Sequence, residues 1–169
     1  MTDAELRGLL GRLRARDLEA LSELYTELSK PVYTVLLRVT RDPGLAEDLL
    51  QDFFLRLWAA PPEERVKKPR AYLFQTARNL ALDALRRERR TLPLEDCGPL
   101  AYAAPDPEKA DLERALAALS EEERQIVTLH LNGGLKFREL SSLLGLSVGG
   151  VYGRYRRALK TLRDDLKGE

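Results

Sequence analysis

Residues 70–89 of this chain read RAYLFQTARNLALDALRRER, and the rest of the chain is organised around this stretch. At about 100° per residue, its apolar side chains fall on one face of a helix and its polar side chains on the other. The apolar face carries Leu73, Phe74, Ala77, Leu80, Ala81 and Ala84. The outer face carries Tyr72, Gln75, Arg78, Asn79, Arg86 and Arg89. The stretch therefore predicts a long amphipathic helix.

The outer face of this helix has the chemistry of a nucleic-acid surface. Gln75, Asn79 and Arg86 lie almost in one line, and amide and guanidinium groups can hydrogen-bond to base edges. Tyr72 offers an aromatic ring on which an unpaired base could stack, and Arg78 a cation for phosphate. The alternative is an ordinary solvated face of an amphipathic helix.

Composition narrows the fold and the classes of function. Apolar residues recur at spacings of three and four throughout, without strand-like alternation, which predicts an all-α protein. The single cysteine, Cys97, excludes an internal disulfide framework, and one cysteine with one histidine cannot form a usual zinc site. There is no apolar run of signal or membrane length, so we expect a cytoplasmic protein. With no phosphate loop, metal-ligand cluster or nucleophile–base pair, we expect no enzyme, no cofactor and no small-molecule substrate.

The net charge of +1 conceals a strong charge pattern. Residues 1–64 carry 8 basic and 12 acidic groups, residues 65–90 carry 9 and 2, and residues 91–111 carry 1 and 5. A basic block between acidic blocks predicts a surface that binds a polyanion. The basic loop that precedes the central helix, with Lys67, Lys68 and Arg70, extends this surface.

Three further helices are predicted before the central one, over residues 3–15, 17–41 and 43–59. Pro31 is expected to kink or split the second. In the third, Leu49, Leu50, Phe53 and Leu57 form the expected buried stripe. Its outer face carries Asp48, Gln51, Asp52 and Leu55. A leucine among carboxylates is typical of a helix-docking surface, although isolated exposed leucines are also common.

The C-terminal part predicts a helix-turn-helix. A proline-rich, acidic linker over 91–107 separates it from the first domain. Ser120 and Glu123 form a capping box, and a helix over 137–144 is followed by a three-residue turn. Ser147 then caps a basic final helix in the recognition position. The alternative is a helical hairpin with no DNA role. The prediction is two small helical domains, over 1–90 and 108–169, on a flexible tether.

Three segments resemble the extracytoplasmic-function (group IV) sigma factors of bacterial RNA polymerase. Residues 46–58, AEDLLQDFFLRLW, resemble the family's core-binding segment, and residues 72–86 resemble its −10 helix. Residues 119–127, LSEEERQIV, together with 135–162, resemble its −35-reading domain. The order and the intervening linker also match, so the resemblance covers nearly the whole chain.

The resemblance implies a promoter-specificity subunit without enzymatic activity. Asp48, Gln51, Asp52 and Leu55 would dock on the clamp helices of the beta-prime subunit. The −10 element would be captured by Lys67, Lys68, Arg70, Tyr72, Gln75, Arg78, Asn79 and Arg86. The C-terminal domain would sit on the beta flap, and an anti-sigma factor is an expected partner. A helix-turn-helix regulator or a decoy that does not itself initiate transcription is the alternative.

The final helix departs from the family pattern. The predicted −35 contacts are Ser147, Gly149, Gly150, Arg154, Arg156, Arg157 and Lys160. Family members usually carry polar side chains at positions 150, 152 and 153, whereas Gly150 and Gly153 offer none to a base edge. We therefore expect a −35 contact that depends mostly on the DNA backbone and on DNA shape.

Overall fold

The computed structural model describes the backbone of residues 1–91 and 107–167 and the side chains of residues 1–88 and 110–167. The described residues form eight α-helices and no strand, which confirms the all-α prediction. They fall into two compact units, one within Met1–Leu92 and the other within Pro93–Glu169. The predicted linker, with Cys97, lies largely outside the described residues.

The first unit contains α1 (Asp3–Arg14), α2 (Leu18–Thr40), α3 (Pro43–Ala59) and α4 (Pro69–Thr91). Helix α2 packs against the other three. Its core residues run along its whole length, from Ala20 to Val39, on both sides of Pro31. The prediction that Pro31 splits this helix is wrong, because burial along both halves offsets the roughly 3 kcal/mol that an interior proline costs.

Local side-chain caps fix where these helices begin. Thr2 and Glu5 form a reciprocal capping box at α1. Asp17 accepts a hydrogen bond from the Glu19 N–H at α2, and Asp42 accepts from the Gly44 and Leu45 N–H groups at α3. These contacts satisfy N–H groups that the helices themselves leave unpaired.

The buried face of α3 is rotated from the predicted one. Phe53 and Leu57 are buried as predicted, but Leu49 and Leu50 are only half-buried. Phe54 is buried instead, and its ring centroid lies 4.9 Å from that of Tyr25 on α2. The aromatic contact draws this side of α3 onto α2.

The second unit contains α5 (Pro107–Ala117), α6 (Glu121–Leu131), α7 (Phe137–Leu144) and α8 (Val148–Lys167). The predicted capping box of Ser120 and Glu123 is present at α6. Helices α7 and α8 are joined by a short turn in which Gly145 takes a φ of 68°, a conformation that glycine adopts without strain. The helix-turn-helix geometry follows from this turn.

One core cluster of the second unit joins buried residues of α5, α6 and α8 and of the turn after α5. Leu116, Leu119, Val127 and Ala158 are packed together, with Tyr155 against them. Arg124 is also buried, and its guanidinium donates to the Leu116 and Leu119 carbonyls at 3.0 Å each. These two bonds tie the end of α5 to the start of α6.

Candidate nucleic-acid interface and docking face

The outer face of α3 leaves a large apolar side chain in water. Leu55 is 67% exposed, and Asp48 and Gln51 beside it are exposed as well. Asp52 is paired with Arg56 one turn along the helix, at 3.0 Å. The α3 face is therefore acidic, and the leucine within it is exposed to solvent instead of being buried in the core of the unit.

The outer face of α4 keeps the predicted polar row. Gln75 and Asn79 are exposed, and Tyr72 is 45% exposed, so its ring is accessible. Arg86 is exposed and pairs with Asp83 at 3.2 Å, whereas Arg78 is half-buried. The opposite face is buried through Leu73, Phe74, Ala77, Leu80 and Ala81, as predicted, whereas Ala84 is only half-buried. The helix thus presents an aromatic ring and two amides to solvent from a rigid backbone.

Residues 60–68 form the loop that connects α3 to α4. Lys67 and Lys68 are exposed, whereas Pro62 and Pro69 are buried. The backbone N–H of Arg70 donates to the Asp3 carboxylate at 3.3 Å, and its guanidinium donates to the Met1 carbonyl. Arg70 is therefore directed towards α1 rather than towards the exposed row.

Sequence reasoning missed Asp3. Its carboxylate lies at the start of α4, where exposed N–H groups and the helix dipole both favour a negative charge. Asp3 and Arg70 are 67 positions apart in the chain, so no local signal could have indicated the contact.

The basic residues of α8 that were predicted to contact DNA fall into two groups, those exposed to solvent and one that is paired within the unit. Arg156, Arg157 and Lys160 are exposed. Arg154 instead forms an ion pair with Glu122 on α6 and donates to the Gly150 carbonyl at 3.2 Å. Its guanidinium is thus held against the protein, away from the solvent side of the helix.

The first turn of α8 contains Gly149 and Gly150, which have no side chains, and is called the bare turn below. Its N-terminus is capped by a side chain. The Ser147 hydroxyl accepts a hydrogen bond from the Gly150 N–H at 3.0 Å, as predicted for a cap. A Cβ at Gly149 or Gly153 would meet nothing within 4 Å. Val148, the first residue of the helix, is 46% exposed.

Tyr152 is a second residue that sequence reasoning missed. It is 48% exposed, its ring packs edge-on against Phe137, and the Arg156 guanidinium lies 5.9 Å from its centroid. A tyrosine four residues before an arginine on a basic helix is a pattern that favours such a pair. It places an aromatic ring next to the bare turn.

Two other kinds of feature are absent from the part of the chain that the structure describes. Residues 1–91 and 107–167 contain no cluster of histidine, cysteine and acidic side chains that could hold a metal ion. Within the same ranges, no helix has the length and apolar content that crossing a membrane would require.

Comparison with known protein families matches both units. The model of Sigma-70 region 2 matches residues 24–91, and that of Sigma-70, region 4 matches residues 109–162. Between them, these matches include α3, α4 and the helix-turn-helix.

Individual relatives align over nearly the whole chain. A probable RNA polymerase sigma factor, RfaY of Xanthomonas campestris pv. campestris, is 32% identical over 97% of this chain. The chain spans only 44% of the length of that relative. The ECF RNA polymerase sigma factor SigK of Mycolicibacterium vanbaalenii is 27% identical, with 96% of this chain and 90% of that protein aligned. SigK of Mycobacterium tuberculosis is 29% identical, with 96% and 94% aligned.

Two solved structures share the fold. The sigma factor RpoE, solved in complex with the anti-sigma factor NepR from Bartonella quintana, has a TM-score of 0.66 at 24% identity, covering 86% of this chain and 96% of that one. CnrH, solved in complex with the cytosolic domain of CnrY, has a TM-score of 0.68 at 22% identity, covering 96% and 97%. With both regions matched in order and the SigK proteins aligned almost end to end, the chain belongs to the extracytoplasmic-function sigma factors of the sigma-70 family.

Proposed function

We propose that this chain is the promoter-specificity subunit of a bacterial RNA polymerase holoenzyme and acts in the cytoplasm without catalysing a reaction itself. It directs the core enzyme to its promoters and aids promoter melting. The observation that carries the proposal is that one helical unit has two exposed faces of opposite character. The α3 face is acidic around Leu55, and the α4 face is aromatic and amide-rich beside basic residues.

The α3 face binds the core enzyme at the clamp helices of the beta-prime subunit. Leu55 supplies the apolar anchor, and Asp48, Gln51 and Asp52 surround it with polar contacts. The acidic rim favours a basic partner surface and steers its approach.

The α4 face captures the non-template strand of the −10 element after it is unpaired. Tyr72 stacks on a base, which contributes roughly 1–3 kcal/mol per base, and Gln75 and Asn79 read base edges. Lys67, Lys68 and Arg86 supply positive charge for the phosphates. Arg70 acts indirectly, through its hydrogen bonds to Met1 and Asp3.

The second unit contacts the −35 region and the beta flap. Arg156, Arg157 and Lys160 bind phosphates, and Tyr152 contacts the groove beside the bare turn of Ser147, Gly149 and Gly150. Arg154 orients α8 through Glu122. Because the first turn carries so few side chains, the contact depends on DNA shape more than on base edges. Replacing the −35 sequence with the −10 kept should therefore weaken promoter use without abolishing it.

An anti-sigma factor is a further proposed partner. The two structural relatives above were each solved with such a regulator or with a partner's cytosolic domain. A protein that covers the α3 or α4 face would keep this chain from the polymerase or from DNA.

Co-elution with purified bacterial core polymerase at moderate salt tests the proposal. We expect a one-to-one complex that is lost in the Asp48→Lys, Asp52→Lys double variant. The matched control is Asp164→Lys, Asp165→Lys, which makes the same charge change at exposed positions of α8 and should still co-elute. Failure of the wild type to bind core, with direct binding to duplex DNA, would favour an independent helix-turn-helix regulator.

The bare turn of α8 and the inward Arg154 favour one alternative, a decoy that binds core polymerase without initiating transcription. Transcription from a library of random promoters by the reconstituted holoenzyme separates the two functions. A sigma factor selects a shared −10 sequence from the library, whereas a decoy yields no transcript.

A further inference from the structure

Helix α1 lies outside the matched sigma-70 region 2, which begins at residue 24, yet it contacts the loop of residues 60–68. The contacts come from arginines. The Arg7 guanidinium donates to the Lys67 carbonyl at 2.7 Å, and the Arg14 guanidinium donates to the Pro62 carbonyl at 2.7 Å. Arg16, just after the helix, donates to the Trp58 carbonyl.

These three bonds are spaced along the connection between α3 and α4. The Trp58 carbonyl lies in the last turn of α3, where helix carbonyls lack intrahelical partners. Pro62 is the third residue of the loop, and Lys67 lies two residues before Pro69, the first residue of α4. Two arginines of α1, together with Arg16 just after it, thus hold the connection at its start, within the loop and near its end.

The backbone of this loop has few bonds of its own. It contains one turn, in which the Val66 N–H donates to the Glu63 carbonyl at 3.1 Å. This turn lies between the carbonyls that Arg14 and Arg7 hold. The contacts between Arg70, Met1 and Asp3 tie the other end of α1 to the start of α4. Charge-assisted hydrogen bonds are stronger than neutral ones, so the arginines of α1 contribute much of what orders the loop.

We propose that Arg7 and Arg14 are positioning residues for −10 recognition, because they hold the loop of residues 60–68 in the conformation that receives the unpaired strand. This inference rests on the proposed function. The arginines act through backbone carbonyls and not by contacting DNA. Arg7 fixes the Lys67 carbonyl, and the Lys68 carbonyl accepts the Tyr72 N–H at 3.0 Å, so the backbone of both exposed lysines is held at the start of α4. A loop ordered before binding loses less entropy when the strand arrives.

The test compares Arg14→Met with Arg12→Met in the full chain. Both variants remove one positive charge from α1 and keep an unbranched side chain. Arg12 bonds to Asp17 and Glu23, at 2.9 and 3.0 Å, and not to the loop, so it is the matched control. The double variant Arg7→Met, Arg14→Met removes two of the three bonds.

The first measurement is tryptic cleavage of the free protein after Arg65 and Lys67, which lie in the loop. We expect cleavage to be faster by about tenfold in Arg14→Met, the lower limit for losing a charge-assisted hydrogen bond, and unchanged in Arg12→Met. Far-UV circular dichroism before digestion confirms that each variant is folded. Equal cleavage of the two variants would overturn the proposal.

The second measurement is binding of the holoenzyme to a single-stranded 12-mer that the wild-type holoenzyme enriches from a random library. We expect affinity for this oligonucleotide to fall about tenfold in Arg14→Met, with co-elution with core unchanged. The slope of log affinity against log salt should stay the same. A slope smaller by about one would mean that Arg14 neutralises a phosphate directly, which would overturn the positioning role.

The outcomes separate this inference from the proposed function. If the wild-type holoenzyme enriches no sequence, the proposed function fails and the positioning role fails with it. If the wild type enriches and binds a sequence but Arg14→Met and Arg12→Met bind it equally, only the positioning role is overturned.

Discussion

Replacing Gly153 by alanine should stabilise the second unit. A Cβ at this position would meet nothing within 4 Å, and the position lies inside α8. Glycine inside a helix costs about 1 kcal/mol relative to alanine, because it loses more backbone entropy on folding. For a domain of this size, about 1 kcal/mol raises the melting temperature by roughly 4–8 °C.

Gly150→Ala is the matched comparison, and it should gain little or nothing. A Cβ there would lie 3.0 Å from the Ser147 hydroxyl and 3.2 Å from the Arg154 guanidinium. The Ser147 hydroxyl is the cap of α8, and losing an N-cap costs about 1 kcal/mol, which offsets the gain in propensity.

Thermal unfolding followed by far-UV circular dichroism measures both variants. Trp58 is the single tryptophan of the chain and lies in the first unit, so its fluorescence provides an internal control that should not change. Equal stabilisation by the two substitutions, or destabilisation by Gly153→Ala, would refute the argument from local space. If both glycines serve close approach to DNA, Gly153→Ala should also weaken promoter binding while it stabilises the protein.

Three further substitutions test the packing. Ser120→Ala removes the capping box of α6 and should cost about 1 kcal/mol of the second unit's stability, measured by urea unfolding with circular dichroism; an unchanged midpoint would contradict the cap's role. Arg124→Met leaves the Leu116 and Leu119 carbonyls without their buried donor and should cost about 2–4 kcal/mol in the same assay, more than Arg114→Met at an exposed position. The pKa of Asp17 is lowered from its ordinary 3.8, chiefly because Arg12 donates a hydrogen bond to its carboxylate. Because its pKa is lowered in the folded state, the Asp17 carboxylate stabilises the fold above its unfolded-state pKa, and this stabilisation is lost as the pH falls through the folded-state pKa. The urea midpoint, followed by Trp58 fluorescence, should therefore decrease as the pH falls below about 3.8. The decrease should be smaller in Asp17→Asn.

Much of the fold could be predicted because its signals are local. The helix over residues 43–59 has a capping aspartate, a first-turn proline and an apolar period, and these act within a few residues of each other. The same holds for the Ser120 capping box and for the glycine turn before α8. The predicted split of α2 at Pro31 was wrong because the cost of the proline is local while the burial that offsets it is tertiary.

The candidate interfaces could be predicted in part. The sequence alone shows which face of α4 carries Tyr72, Gln75 and Asn79, because helical periodicity divides polar from apolar side chains. It does not show where long cationic side chains go. Arg86 stays on the surface and pairs with Asp83 of its own helix, whereas Arg154 of α8 pairs with Glu122 of α6.

The amino-acid sequence alone was enough to predict most helices, the caps at Ser120 and Ser147 and the exposed face of α4, since each depends on neighbours within a turn or two. Only the tertiary structure decided that Asp3 lies at the start of α4 and that Arg14 holds the Pro62 carbonyl, 48 positions away. An arginine has several rotatable bonds and many possible acceptors, so its partner depends on which carbonyl packing places within reach.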